Sequence, residues 1–191
     1  MDANKAFLKM ETKKENFGLT PYQTVGPYYS IGFEHLYKKQ LFREEDKSKH
    51  ITVSGKILDG ENNPVIDAVI EIWQADEHGN YRPGNAGFAR VSADLNGQYI
   101  FKTIKPGAVT NGKSAKHAPH LNVLIFLRGA LKGLKTRIYF EDEFTMNELD
   151  QVLRLVPNQR KHTLLAMSPQ KQVYKIDFIL QGENETVFFD Y

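Results

Sequence analysis

The sequence predicts an all-β protein: a β-sandwich of mostly antiparallel strands with an extended N-terminal arm and one short helix. Three observations lead there. From Ile51 onward, short apolar–polar alternating segments recur at fairly regular intervals between turn residues. A single stretch, 143–156, carries apolar residues at helical spacing instead. The chain has 191 residues and no cysteine, a size at which one domain can bury a core without disulfide staples.

The elements follow in order. Residues 1–50 are rich in lysine, turn residues and charge, and show no sustained alternation, so they read as an arm that wraps over something, with 1–16 as a frayed tail. Residues 51–191 read as the sandwich domain. Ile51, Val53, Gly55 and Ile57 alternate with polar partners until DGENNP makes a turn. Residues 64–75 form a mostly apolar strand, 76–87 a loop, and 89–107 a hairpin turning at 94–97. Strands follow at 120–129 and 134–142. The helix holds Leu149, Val152, Leu153 and Val156 on one face until Pro157 stops it. Residues 173–182 and 185–191 close the chain as strands.

Composition excludes several classes of function. Twenty-five Lys and Arg against 23 Asp and Glu leave a net charge of +2, too little to single out nucleic acid or an anionic membrane as partner. No apolar run is long enough to span a bilayer, and the first residues lack the apolar core of a secretory leader. Without cysteine there is no thiol nucleophile, Cys-ligated zinc or iron–sulfur cluster. The expectation is a cytoplasmic protein. No G-x-S-x-G and no glycine-rich phosphate loop appears, and DGENN lacks the remaining spacing of a calcium loop.

The strand from His120 carries the most chemistry. Side chains alternate across a strand, so Leu121, Val123, Ile125 and Leu127 form a uniformly apolar core face. His120, Asn122, Leu124, Phe126 and Arg128 share the other, which is either solvated or part of a site. Imidazole is a common metal ligand, but a carboxamide is a weak neutral donor, so His-x-Asn is a poor half-site. His117, three residues earlier, falls on the opposite face if the strand extends that far. A hydrogen-bonded strand histidine is the favoured reading of these residues. Asp67 and Glu71 lie on one strand face and read as solvated carboxylates. Tyr81, in a glycine-flanked loop, suits packing or capping. Arg128 and Arg137 suit ion pairs, or capture of a planar carboxylate.

TPYQTVGPYYSIG, VIDAVIEIWQADEHGNY, FKTIKPGAV, APHLNVLIFLRG, KTRIYFEDE and QGENETVFFDY together resemble the intradiol ring-cleaving dioxygenase family, collinearly from about Leu19 to Tyr191. The opening and closing segments favour the α-type chain of its αβ members. The resemblance implies oxidative cleavage of protocatechuate by O2 to 3-carboxy-cis,cis-muconate, in aromatic catabolism. It implies Fe(III) held by two tyrosines and two histidines in a homologous β subunit, and not by this chain. Here the corresponding positions are Tyr81, Val109, His120 and Asn122, two of which have lost the donor that iron requires. No catalytic residue or metal ligand is therefore expected in this chain. Its implied role is to wall a shared substrate pocket with Thr24, Gly26, Pro27, Tyr28 and Arg128, at the boundary with β. Where the family often has an aromatic–Ala pair before that arginine, this chain has Phe126-Leu127. Two rivals remain: a self-sufficient intradiol dioxygenase with an altered iron site, and a non-enzymatic β-sandwich binding module. Iron copurifying with the chain alone marks the first, and inactivity beside a matched β chain marks the second.

Overall fold

The computed structural model describes residues 23–26, 28–42, 50–83, 87–111 and 115–190. The expected tail at 1–16 and Pro27 lie outside them. The strands are β1 (His50–Leu58), β2 (Val69–Gln74), β3 (Phe88–Ser92), β4 (Gln98–Ile104), β5 (Val109–Asn111), β6 (Ala115–His117), β7 (His120–Phe126), β8 (Leu134–Phe140), β9 (Leu165–Gln170), β10 (Val173–Lys175) and β11 (Phe178–Ile179). Nine of these make one sheet in the order β11-β1-β10-β9-β8-β7-β2-β3, with β4 paired to β1 off that path. β5 and β6 form a separate two-stranded ribbon. Most ladders are antiparallel, while β1–β10, β1–β11 and β8–β9 are parallel. The protein is all-β.

The sheet folds into two layers around one core. Ile51, Val53, Ile57, Tyr99 and Phe101 come from β1 and β4, and meet Ile70, Ile72, Leu121, Val123 and Ile125 from β2 and β7. The apolar face expected for the His120 strand is real: Leu121, Val123 and Ile125 are buried. Buried Gln74 ties the layers together, donating through Nε2 to the Ile104 carbonyl at 3.0 Å. A smaller second core gathers Ala118, Tyr139, Leu153, Val156 and Leu164.

Four expectations need correction. First, 89–107 is not a hairpin: β3 pairs with β2 and β4 with β1, so the 94–97 turn carries the chain from one layer to the other. Arm residues occupy the strand edges this leaves open. Lys38 N–H donates to the Arg90 carbonyl of β3, and Lys102 N–H of β4 donates to the Lys39 carbonyl, at 2.9 and 2.7 Å. Second, there is more than one short helix. The stretch at 143–156 breaks into α2 (Phe144–Leu149) and α3 (Gln151–Leu155), because the side chain of Asp150 accepts from the Val152 and Leu153 amides and caps the second helix. Third, the arm contains α1 (Tyr28–Phe33), followed by a 3-10 turn at Glu34–Leu36, and another 3-10 segment spans Asn158–Leu164. Fourth, the end of the chain is not a strand. Thr186 bonds Ile179 of β11, residues 187–189 then run beside β8 with Phe189 N–H on the Lys135 carbonyl, and Phe188 and Phe189 pack against the two cores.

Candidate functional site

The first element of the site is the loop after β2. Asp76 organises it: Oδ1 accepts from the amides of His78 (2.9 Å) and Asn80 (3.0 Å), and Oδ2 from Arg82 Nε (2.9 Å). Burial alone raises a carboxyl pKa, but these donors outweigh it and hold Asp76 below its ordinary value. The loop then presses against the turn after β4. A Cβ on Gly79, whose φ is +79°, lies 2.0 Å from the Ala108 carbonyl oxygen, and one on Gly107 lies 2.5 Å from that of Glu77. Only glycines allow this approach, which explains G-x-Y and K-P-G and brings the Tyr81 loop beside Val109.

Trp73 pairs with Asn122 across β2 and β7. Asn122 Nδ2 donates to the Tyr81 hydroxyl at 2.8 Å and to the Trp73 carbonyl at 3.3 Å. The Tyr81 ring leans on Trp73 with centroids 4.9 Å apart. His120 is 2% exposed, and its Nδ1 donates to the Ala118 carbonyl at 2.7 Å, which fixes the neutral tautomer. Burial, followed by the charge of Arg137, depresses its pKa from 6.5 to about 4. His120 is thus neutral near pH 7, a hydrogen-bonded strand histidine. His117 does not fall on the far face. The chain breaks at 118–119 between β6 and β7, which brings the two imidazoles within 6.0 Å. Val109 pairs in register with His117 and has no donor atom.

A second group gathers at the other end of β7. Gly129 N–H donates to Thr24 Oγ1 at 3.0 Å, pinning the arm to the turn that carries Arg128. Arg128 Nε bonds Asp67, and its side chain remains 61% exposed. Gly26 accepts from the Tyr29 amide at 3.1 Å in the turn that opens α1, and a Cβ there would meet open space. Tyr28 is 81% exposed. A cavity of about 210 Å³ between this arm and the 129–133 turn is lined by Gln23, Val25, Phe126, Leu127 and Ala130 among others. Thr24 therefore meets the turn that carries Arg128, with Gly26 and Tyr28 close behind it in the chain, while Tyr81, His120 and Asn122 lie along the strands.

Some roles were not legible beforehand. Asp67 and Glu71 are not free carboxylates: half-buried Asp67 holds Arg128, and Glu71 holds Arg90 and Tyr29. Asp150 is fully buried, accepting from the amides of Ala118, Val152 and Leu153 and from the Tyr139 hydroxyl. An acidic residue opening an apolar run was its one visible signal, as a helix cap.

The family model "Dioxygenase" matches residues 24–182. The protocatechuate 3,4-dioxygenase alpha chain of Burkholderia cepacia is 37% identical over 90% of this chain and 96% of its own length. This chain belongs to the intradiol dioxygenases. The alpha chain of Pseudomonas putida protocatechuate 3,4-dioxygenase is 36% identical at the same coverage, whereas the beta chain from B. cepacia is 26% identical over 79% of this chain and 72% of its own. Among solved structures, the dioxygenase domain of a carbohydrate-binding fusion protein from Streptomyces sp. SirexAA-E superposes with a TM-score of 0.59 at 21% identity, covering 91% of this chain and 96% of that one. An intradiol ring-cleavage dioxygenase from Tetranychus urticae gives 0.60 at 16%, covering 89% and 99%. These two show the shared intradiol fold. The family is iron-dependent in general, which sets the donor question for Tyr81, Val109, His120 and Asn122.

Proposed function

We propose that this chain is the α subunit of a protocatechuate 3,4-dioxygenase, forming with a homologous β subunit the site where O2 cleaves protocatechuate to 3-carboxy-cis,cis-muconate. The residues at the four metal-ligand positions do not suit a ferric ion. Val109 offers no donor, and Asn122 offers only a weakly donating neutral amide oxygen, its Nδ2 being turned to Tyr81 and the Trp73 carbonyl. We assign the iron to β, and treat Tyr81, Val109, His120 and Asn122 as relics of a metal site. That the hydroxyl of Tyr81 is held by a carboxamide is the observation that carries this reading.

The chain's own contribution is to shape and charge the pocket. Thr24, Gly26, Pro27 and Tyr28 supply the wall from the arm (residues 1–50), and Arg128 supplies positive charge. Asp67 takes the Nε side of Arg128, so the outer edge of the guanidinium stays open to a substrate carboxylate. The domain of residues 51–191 holds that wall in place. The described residues contain no helix long and apolar enough to cross a membrane, and a cysteine-free chain suits the cytoplasm, where we place it.

The test is iron analysis and ring-cleavage assay of α alone, β alone and both together. The expected outcome is iron in β, none bound stoichiometrically by α, and full activity only for the pair. A coloured, iron-loaded α that cleaves protocatechuate by itself refutes the reading.

A further inference from the structure

The pocket wall rests on a helix that cannot hold itself. α1 has six residues and none is buried, so neither propensity nor core packing fixes it. Yet it is clasped from below. Tyr29 donates its hydroxyl to Glu71 Oε1 at 3.1 Å. The same carboxylate oxygen accepts from Arg90 Nε at 2.9 Å and Nη2 at 2.5 Å. Glu71 and Arg90 are in-register neighbours on β2 and β3, and their side chains are only 18% and 13% exposed. The guanidinium of Arg90 lies over the Phe33 ring at 4.2 Å, and the Tyr29 ring meets Phe33 and Phe126 at 5.0 and 4.8 Å. Burial and then Glu71 push the Tyr29 phenol up to about 12, so it stays a donor at every working pH.

The segment 24–29 is thus tethered at two points: Thr24 to Gly129, and Tyr29 to Glu71. Gly26 and Tyr28 lie between them. From this geometry we infer that Glu71 and Arg90 are positioning residues for the substrate pocket, their ion pair fixing α1 and so the placement of Gly26 and Tyr28. The inference rests on the function proposed above. It gives Glu71, the first residue of EIWQAD, a part that neither packing nor metal chemistry supplies. Freeing the Tyr29 hydroxyl removes one of these two tethers and loosens the wall, so substrate must order it on binding, which weakens capture while the distant chemistry proceeds unchanged.

The test uses the assembled αβ complex with α carrying Glu71→Gln, which keeps the size of the side chain, and separately Tyr29→Phe, which spares the ion pair. Glu71→Gln raises KM for protocatechuate about tenfold with kcat within about twofold, and Tyr29→Phe raises KM in the same direction by less. The double variant shows no further rise beyond Glu71→Gln, since both act through one contact. Where Glu71→Gln fails to assemble, Tyr29→Phe decides alone. Unchanged KM in the variants, or a loss confined to kcat or to the active fraction, overturns the positioning role while the wild-type complex stays active. A wild-type complex without ring cleavage overturns the functional reading, and this inference with it.

Discussion

His120 carries a polar ring into the fold with one backbone acceptor and a cationic neighbour, which disfavours the charged imidazolium there. In the unfolded chain the ring takes up its proton near 6.5, and in the fold only near 4. Between these values the unfolded state binds more protons, so stability falls as pH falls through the window and levels off below it. The loss amounts to about 3 kcal/mol. His120→Gln is expected to remove this part of the pH slope, read by urea unfolding at about pH 7 and about pH 5. A slope identical to wild type refutes it. Asp150 shows the opposite economy. Its two oxygens collect three backbone amides and a phenol, so the buried side chain is satisfied and welds the Ala118 link between β6 and β7, β8 and α3 into the second core.

At the scale of elements, alternation marked the strands at Ile51 and Leu121 because each buries one face, while a mostly apolar run marked 64–75. Partner choice was not legible, since the same pattern serves any neighbour. The 94–97 turn looked like a hairpin and joins two layers instead. Gly55 illustrates a requirement visible only in three dimensions. It occupies an ordinary position in the alternation of β1, yet a Cβ there lies 1.7 Å from the Ile176 carbonyl oxygen, where the chain passes from β10 to β11. That oxygen also accepts from the Tyr99 hydroxyl at 2.8 Å, so it cannot move aside freely. Gly55→Ala is expected to cost more than about 3 kcal/mol, read as lost urea resistance or lost soluble protein. Wild-type stability in this variant counts against the packing described. The helix at 143–156 was located correctly and read as continuous. Its break depends on Asp150 preferring amide donors to solvent, a choice set by burial.

At the scale of the molecule, the arm does two jobs. Residues 38–41 seal the edges that β3 and β4 would leave open, and Thr24 accepts from the Gly129 amide in the turn after β7. Tyr81, His120 and Asn122 lie apart from Thr24 and the 128–129 turn, which gives a clean separation to measure. Asn122→Ala is expected to leave the iron content and kcat of the αβ complex unchanged, by metal analysis and steady-state assay. Loss of iron from the complex would place a metal in this chain and overturn the proposed division of labour.

Residue type decides chemistry before any folding. A carboxamide donates poorly to a metal, so Asn122 spoke against a metal centre from the letters alone, as alternation spoke for strands; a valine cannot donate at all, and Val109 joined that reading once the family resemblance gave its position. Which groups meet is another matter, because contacts between residues far apart in the chain depend on how the layers close. Only the folded molecule set Glu71 against Arg90 and Tyr29, Asp67 against Arg128, and His117 beside His120.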